Sequence, residues 1–292
     1  MPGDAPDPVL VEARRALLDA LEALRPHMDR IVLVGAQAVY LHTDEVTLGV
    51  ALFTKDADLA LVPPLGEEPE IEKAMRDAGF RPGSQPGIWL EESRQVDLLV
   101  PEGLAPIGGR RSAQLEGHGK RAARKVLGLE GAAVDNAIRV VPALDPADHR
   151  SVRLRVASPA ALLVAKLHKL GERQQEPRGD RLSDKDAFDI YRLLQLPSAD
   201  LARGMHKLLA DARSAEVAGT ALRFLQQLFG MPDARGCEMA GRYVDGVADP
   251  ETVRLATASL AEELRGSLIQ SQQDLASGRR AGHGPSPRGS AR

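Results

Sequence analysis

Two aspartates, Asp56 and Asp58, open an apolar run that ends at Val62 and has the length and composition of a buried strand. Side chains at positions i and i+2 project from the same face of a strand, so the two carboxylates would lie side by side at the edge of a hydrophobic core. Like charges held that close repel, and burial adds to the cost. Because Mg²⁺ prefers carboxylate oxygens and would relieve the repulsion, the pair indicates a metal site. The alternative is a solvated turn before a strand.

A third aspartate, Asp97, enters a second apolar strand, Val96 to Val100, which is followed by Pro101. On a neighbouring antiparallel strand, Asp97 would lie across from the first pair and complete a cluster of three carboxylates. The alternative is an aspartate that only ends a sheet strand.

A short apolar strand, Ile31 to Val34, leads into Gly35 and a helical segment from Ala36 to His42. A strand, a glycine and a helix start can present backbone N–H groups to a phosphate. The same glycine could equally make a tight turn with no ligand.

Two lysines stand on a predicted helix, Ala160 to Arg173, which begins after the capping residue Ser158 and Pro159. Lys166 is four residues from both Leu162 and Leu170 and therefore falls on the apolar face, whereas Lys169 falls on a more polar side. A lysine on an apolar face either extends its ammonium group to solvent or serves a nearby anion.

A further helix is predicted from Ser183 to Leu194 after a polar loop, residues 171 to 182. Its buried stripe consists of Ala187, Ile190, Tyr191 and Leu194. Asp186 stands where an acidic side chain caps a helix, and Asp189 is expected to pair with Lys185 or Arg192 on the helix surface. The spacing alone gives neither aspartate a functional role.

The segment from 108 to 125 is locally basic and is interrupted by glycines. Its cationic residues are Arg110, Arg111, Lys120, Arg121, Arg124 and Lys125. It could contact a triphosphate or an RNA backbone, or it could be a solvated charged surface. The segment contains no aromatic residue on which bases could stack.

The composition indicates which partners and which cellular compartment fit this sequence. The net charge of −3 gives no overall attraction to nucleic acid, so such contact would need a local patch. The single cysteine, Cys237, fits a reducing compartment. The first eight residues do not read as a signal peptide, and no apolar run approaches the roughly 20 residues of a membrane span. We therefore expect a soluble cytoplasmic protein.

The hydrophobic pattern predicts α/β (α+β) architecture, with a mixed sheet flanked by helices and an all-helical C-terminal region. We predict a disordered N-terminus at residues 1–8, an α/β domain at 9–157, a helical domain at 158–277 and a disordered basic tail at 278–292.

Taken in order, five short segments resemble the AbiEii/AbiGii-type nucleotidyltransferases of the DNA polymerase β-like superfamily. They are Val-Gly-Ala at 34–36, Thr-Lys-Asp-Ala-Asp-Leu-Ala-Leu at 54–61, Val-Asp-Leu-Leu-Val-Pro at 96–101, Ala-Lys-Leu-His-Lys-Leu at 165–170 and Asp-Lys-Asp-Ala-Phe-Asp-Ile-Tyr at 184–191. Each segment is short, and the specificity lies in their order. The resemblance covers about Ile31 to Leu194 and implies a nucleotidyltransferase fold.

The resemblance also implies roles for individual residues. Asp56 and Asp58 would hold Mg²⁺ on a nucleoside triphosphate, and Asp97 would complete a site for two ions or activate the attacking hydroxyl. Catalysis would further involve Lys166, at the triphosphate, and Asp186. The nucleotide-contacting set implied by the resemblance is Gly35, Ala36, Thr54, Lys55 and Lys169.

One departure from the family concerns the phosphate turn, where Gly-Ser or Gly-Gly is usual and this chain has Gly35-Ala36. Alanine keeps the backbone N–H and supplies no hydroxyl. The family also implies transfer to RNA such as a tRNA 3′ end, toxin activity and a cognate antitoxin. Transfer to a small molecule or a protein, and a nucleotide-binding scaffold without catalysis, remain as alternatives.

Overall fold

The computed structural model describes residues 6–43, 50, 52–173 and 181–281. The strands are β1 (Ile31–Val34), β2 (Asp56–Leu61), β3 (Arg81–Pro82), β4 (Ile88–Glu91), β5 (Arg94–Pro101), β6 (Arg124–Val126), β7 (Asn136–Pro142) and β8 (Ser151–Ala157). The helices are α1 (Pro8–Ala23), α2 (Gly35–Thr43), α3 (Ile71–Asp77), α4 (Glu130–Val134), α5 (Pro159–Arg173), α6 (Arg181–Leu194), α7 (Ser198–Ala210), α8 (Ala215–Phe229), α9 (Arg235–Tyr243) and α10 (Pro250–Ala281). Arg25–Arg30 and Glu102–Leu104 form short 3-10 helices.

The strands form one mixed sheet in the order β3-β4-β5-β2-β1-β8-β7, and β6 pairs with the C-terminal end of β5. The central strand β1 is antiparallel to β2 and parallel to β8, whereas β2 is parallel to β5. Helices flank this sheet, and the region after residue 158 is helical. The predicted fold class is therefore confirmed.

The middle of the sheet is a continuous apolar core because helices cover its central strands. All four residues of β1 are buried, and so are the last three of β2. Helix α1 packs on β2 and β5, while α2 packs on β1 and β2. Strands covered on both faces read as unbroken apolar runs, which is why these two strands were predictable.

Helix α1 begins with a strong local signal. The Asp7 side chain accepts a hydrogen bond from the Val9 backbone N–H at 2.7 Å, and Pro8 occupies the first helical position. Residues 1–5 of the predicted disordered N-terminus lie outside the described residues.

The C-terminal helices join the sheet through α5, which packs against α2, α4, α6, α7 and α8. The predicted cap is confirmed, because Ser158 Oγ accepts a hydrogen bond from the Ala161 backbone N–H at 3.2 Å. The predicted domain boundary at residue 158 falls between β8 and α5.

Several predicted limits differ from the structure. The predicted loop at 171–182 is helical at both ends, because α5 continues to Arg173 and α6 begins at Arg181. Position 171 of α5 requires glycine, because a Cβ there would lie 2.5 Å from the Phe224 ring. Helix α10 reaches Ala281, and residues 282–292 of the predicted tail lie outside the described residues.

Within the described ranges, none of the helices combines the length and the apolar character that a membrane crossing requires.

Candidate metal centre

The candidate site lies where β1 ends and where β2 and β5 begin. In the sheet register, Val34 of β1 is opposite Asp58 of β2, and Asp58 is opposite Asp97 of β5. The prediction that Asp97 stands on an antiparallel neighbour is wrong, because β2 and β5 are parallel. The intervening chain forms α3 and the antiparallel β3–β4 pair, so β5 returns to β2 in the same direction.

The parallel register still brings the three predicted carboxylates together. One carboxylate oxygen from each of Asp56, Asp58 and Asp97 lies within 4.8 Å of the other two. Asp97 is buried, with 4% of its surface exposed, and the other two aspartates are partly buried. Three oxygen donors at this separation form a cluster that could hold a divalent cation.

Repulsion within the cluster is visible in the titration of Asp58. Burial, together with the neighbouring charges of Asp56 and Asp97, raises the pKa of Asp58 to about 7. The positive charges of Lys169 and Lys166 act in the opposite direction. Asp58 therefore lacks sufficient positive charge around it, as expected for a site completed by a cation.

Hydrogen bonds fix Asp56 from two sides. The Thr54 hydroxyl donates to Asp56 Oδ1 at 2.6 Å, and Gln37 Nε2 donates to the Asp56 backbone carbonyl at 3.2 Å. Gln37 is itself held by buried Arg14, whose Nε donates to Gln37 Oε1 at 2.8 Å. Thr54, predicted to contact nucleotide, is buried and directs its hydroxyl to Asp56. It therefore positions a carboxylate of the cluster.

Both oxygens of Asp97 have protein partners. Gln95 Nε2 donates to Asp97 Oδ1 at 2.8 Å, and Arg124 Nη2 donates to Oδ2 at 2.5 Å. Arg124 Nη1 is buried and has no hydrogen-bond partner among the described residues. Arg124 was predicted only as part of the basic segment, and its contact with Asp97 was missed. Two residues that are 27 positions apart leave no local signal of their pairing in the sequence.

Gly35 and Ala36 form the predicted turn beside the cluster. Gly35 has φ of +68°, and a Cβ atom at this position would stand 1.9 Å from Asp58 Oδ2. Ala36 is buried, with 5% of its surface exposed. The turn therefore brings the backbone against the carboxylate, which only glycine permits.

A second charged cluster links α5 to α6. Lys166 Nζ lies 2.7 Å from Asp186 Oδ1 and 2.6 Å from Asp189 Oδ2. Lys169 Nζ lies 3.0 Å from Asp186 Oδ2, and Lys185 Nζ lies 3.3 Å from Asp189 Oδ2. We call these five residues the lysine–aspartate cluster. Its charges lie close enough to the carboxylates of the candidate site for Lys169 and Lys166 to influence Asp58.

The lysine–aspartate cluster is ionised despite its burial. Burial opposes the charge on Lys166, but Asp186 and Asp189 outweigh it and hold the pKa of Lys166 well above its usual value. Burial likewise opposes ionisation of the two aspartates, and the lysines nevertheless hold the pKa of each below its usual value. The cluster therefore combines buried opposite charges that stabilise one another.

The positions of the α6 aspartates correct two predictions. Asp189 pairs with Lys185, as one of the predicted alternatives required, but it is 1% exposed and not on the helix surface. Because α6 begins at Arg181, Asp186 lies beyond the first turn and does not serve as the predicted cap. The stripe predicted to be buried is confirmed, with Ala187, Ile190, Tyr191 and Leu194 all enclosed.

The other predicted cations divide into two groups. Lys55 is exposed, with its Nζ 6.0 Å from the centroid of the Phe53 ring. In the basic segment, Lys125 donates to the Gly108 and Gly109 carbonyls, Arg121 donates to the Gly83 carbonyl and Arg124 pairs with Asp97. The exposed members of the segment are Arg110, Arg111 and Lys120.

Comparison of the sequence with protein-family models and with curated proteins gives no match.

Proposed function

We propose that the protein is a divalent-metal-dependent nucleotidyltransferase that transfers a nucleoside monophosphate from a nucleoside triphosphate to an acceptor. The observation that carries this proposal is the cluster of Asp56, Asp58 and Asp97 at the adjacent ends of two parallel strands. A protein that bound no metal ion in this region would gain nothing from three clustered carboxylates, one of which resists ionisation until about pH 7.

The chain's own residues account for the main requirements of the reaction. Asp56, Asp58 and Asp97 would hold Mg²⁺, with two ions as in the family that the sequence resembles. Bound Mg²⁺ would stabilise charge on the attacking and leaving oxygens of an in-line displacement at the α-phosphorus. Much of the remaining rate enhancement comes from positioning of the two reactants.

Lysines of α5 supply positive charge beside the carboxylates. Lys169 has 48% of its side chain exposed and is available to a triphosphate, whereas Lys166 is enclosed by Asp186 and Asp189. We assign direct phosphate contact to Lys169 and assign to Lys166 the role of holding α5 against α6. The backbone of Gly35 and Ala36 would lie beside the phosphates.

The acceptor we propose is RNA, such as a tRNA 3′ end. Exposed Arg110, Arg111 and Lys120 form the part of the basic segment that is free to meet a phosphate backbone. The family resemblance further supports a toxin of a toxin–antitoxin or abortive-infection system, with a cognate antitoxin as partner.

Two observations favour a second candidate, a nucleotide-binding scaffold that does not catalyse transfer. Arg124 already neutralises Asp97, and Ala36 supplies no hydroxyl at the phosphate turn. Such a protein would bind a metal–nucleotide complex without turnover.

The test is transfer of label from each α-labelled nucleoside triphosphate to total tRNA in the presence of Mg²⁺. Wild type would be compared with Asp58→Asn, which keeps the shape of a cluster residue, and with Asp77→Asn. Asp77 is an exposed aspartate on α3 that pairs with Lys73, so its variant controls for loss of one carboxylate.

We expect labelled RNA with wild type and Asp77→Asn, and a loss of at least about 100-fold with Asp58→Asn. Label on protein or on a small molecule would keep the enzyme class and overturn the RNA acceptor. Nucleotide binding without label in any fraction would overturn catalysis and favour the scaffold.

A further inference from the structure

One edge of the sheet, formed by β7, is long and exposed. β7 is the last strand in the sheet order and pairs with β8 over seven residues without a bulge. Its residues 137–140 are all exposed. Edge strands in natural proteins are usually very short, bulged or interrupted by proline, which prevents pairing with another chain. The opposite edge follows that pattern, because β3 consists of Arg81 and Pro82 alone. Residues 136–141 of β7 carry none of these protections.

Half of the backbone groups of β7 point away from β8. The Ala143 N–H donates to the Arg150 carbonyl at 2.9 Å, just beyond the end of the β7–β8 ladder. Because bonded and non-bonded pairs alternate along an antiparallel ladder, the odd-numbered residues of β7 bond to β8. The N–H and C=O groups of Ile138 and Val140 therefore point to the free edge, where no further strand of the described chain pairs with them. An extended segment of another chain would satisfy these groups as an added strand.

The side chains of the same two residues are apolar and lie in solvent. Ile138 is 54% exposed and Val140 is 61% exposed. In the sheet register, Ile138 is opposite Arg155 and Val140 is opposite Arg153, and opposed residues project from one face of a sheet. Both arginines are exposed. We call β7 and β8 together the edge ribbon, and its exposed face combines two aliphatic side chains with two cationic ones.

The positive charge of the edge ribbon selects the chemistry of its partner. β7 and β8 contain Arg139, Arg153 and Arg155 and no acidic residue. The carboxylates that flank the two strands in the sequence already have other cationic partners. Asp135 pairs with Lys207, Asp145 with Arg15 and Asp148 with Arg150. Charge complementarity therefore favours an acidic segment at this edge.

A second copy of this chain and RNA both fit the edge less well. Two edge ribbons joined through β7 would bring together three arginines from each copy without a carboxylate, and like charges across paired strands are destabilising. RNA would meet the arginines through its phosphates, but it has no alternating N–H and C=O groups to pair with those of Ile138 and Val140.

We propose that β7 is a docking site for an acidic, extended segment of another protein, which adds to the edge of the sheet as a further strand. The backbone of the segment pairs with the outward groups of Ile138 and Val140, and its apolar side chains pack on theirs. Neighbouring strands lie about 4.8 Å apart, so the segment lies roughly 10 Å from β8, a gap that glutamate and arginine side chains span together. The docking site is independent of the proposed transfer reaction, because Asp56, Asp58 and Asp97 take no part in it.

The probe is the acetylated and amidated peptide Glu-Thr-Val-Glu-Val-Thr-Glu. It reads the same in both directions, and its two valines can lie opposite Ile138 and Val140 while its central glutamate lies beside Arg139. A second peptide, with lysine in place of each glutamate, tests the charge. A third, with N-methyl groups on both valines, tests the backbone pairing because it lacks two of the N–H donors.

Binding of each peptide to the full chain would be followed by NMR titration of the backbone amide signals. We expect the acidic peptide to bind with Kd on the order of 1 mM, as its small size allows, and to shift the signals of Ile138 and Val140. The lysine peptide and the N-methyl peptide should each bind at least about tenfold more weakly.

Variants locate the binding on the protein. Val140→Pro removes an outward N–H that β8 does not use, so the protein should fold and peptide binding should be lost. Val140→Thr keeps the N–H and the branched shape and should weaken binding about twofold at most. Arg153→Gln should weaken it about threefold, whereas Arg235→Gln removes an exposed charge from α9 and should have no effect. Asp58→Asn, which alters the carboxylate cluster, should leave peptide binding intact.

Failure of the acidic peptide to bind wild type would overturn the proposal. So would equal binding of the lysine peptide or the N-methyl peptide, or unchanged affinity in a folded Val140→Pro variant. The N-methyl peptide tests the pairing on wild type, so the result does not depend on the folding of that variant.

The two other occupants have outcomes of their own. A dimer that forms with rising protein concentration in analytical ultracentrifugation, and that Val140→Pro abolishes, would overturn the proposal in favour of a second copy. Shifts of the Ile138 and Val140 signals by oligouridylate at lower concentration than by the acidic peptide would overturn it in favour of RNA. None of these outcomes depends on whether nucleotide transfer is observed, so failure of the docking site and failure of the transfer activity are distinguishable.

Discussion

Gly35 lies so close to the Asp58 carboxylate that a Cβ atom on Gly35 would stand 1.9 Å from Asp58 Oδ2. The φ angle of Gly35 is +68°, a left-handed conformation that costs other residues roughly 1 kcal/mol or more. The backbone between β1 and α2 therefore forms one wall of the carboxylate cluster.

Gly35→Ala should displace Asp58 and destabilise the protein. We expect a loss of about 2–4 kcal/mol in the free energy of unfolding, from the clash and the left-handed φ together, and Mn²⁺ binding at least tenfold weaker. Chemical denaturation and a Mn²⁺ titration followed by electron paramagnetic resonance measure the two effects.

The matched control for this variant is Gly266→Ala on α10. A Cβ at Gly266 meets open space, and alanine is a better helix former, so stability should rise by about 0.5–1 kcal/mol. Wild-type stability and wild-type Mn²⁺ affinity in Gly35→Ala would contradict the contact between Gly35 and Asp58.

The sequence predicted those parts of the site whose signals are local. Asp56 and Asp58 were assigned to one strand by the apolar run that follows them, and Lys166 was assigned to an apolar helix face by its spacing from two leucines. Both positions agree with the structure, because strand and helix periodicity depend only on neighbouring residues.

The remaining features depend on packing between distant segments. The direction of β5 relative to β2 is set by the elements inserted between them, and no residue near Asp97 encodes it. From its spacing alone, Asp189 fits a surface pair with Lys185. In the folded protein, α5 places Lys166, which is 23 residues away in the sequence, beside Asp189. Gly171 resembles a loop residue because the Phe224 ring that requires it belongs to another helix.

The raised pKa of Asp58 predicts a pH-dependent difference in stability between wild type and Asp58→Asn. The unfolded aspartate ionises near pH 3.9, whereas the folded one keeps its proton until about pH 7. Between these values the folded state binds more protons than the unfolded state, so stability falls as pH rises, and above pH 7 the cost is constant. Asp58→Asn removes that cost.

In metal-free buffer we expect Asp58→Asn to match wild type near pH 4 and to exceed its stability by about 4 kcal/mol at pH 8. Thermal unfolding across this pH range in the presence of a chelator measures the difference. Added Mg²⁺ should raise the melting temperature of wild type and not that of the variant. A difference that does not change with pH would contradict the assignment of the raised pKa to Asp58.

The Arg124–Asp97 ion pair predicts that one substitution strengthens metal binding. Arg124 places a positive charge 2.5 Å from Asp97 Oδ2, where it competes with a cation for that oxygen. Arg124→Gln should therefore raise Mn²⁺ affinity about fivefold in the absence of nucleotide. Lys120→Gln, which removes an exposed charge from the same segment, is the control and should change the affinity little. Weaker binding in Arg124→Gln would show that Arg124 supports the metal site instead of competing with it.

The lysine–aspartate cluster predicts that removing Lys166 destabilises the protein and that a second substitution partly restores its stability. Lys166→Met removes the ammonium group that Asp186 and Asp189 share, so we expect a loss of about 3 kcal/mol in the free energy of unfolding. Adding Asp189→Leu removes one of the two carboxylates that have lost Lys166, and it should restore at least about 1 kcal/mol of the free energy of unfolding. Lys73→Met, which breaks an exposed pair with Asp77, should leave the stability almost unchanged.

The stability lost in Lys166→Met should depend on pH in a defined direction. Asp186 and Asp189 have a lowered pKa in the folded state, so their contribution is present above the unfolded value near pH 3.9 and disappears as pH falls through the folded values. The raised pKa of Lys166 keeps its contribution complete up to its unfolded value near 10.4. The stability difference between wild type and Lys166→Met should therefore be constant from pH 5 to pH 8 and should shrink in acid, as chemical denaturation at each pH would measure. A double variant less stable than Lys166→Met would contradict the view that the loss comes from buried carboxylates deprived of the Lys166 charge.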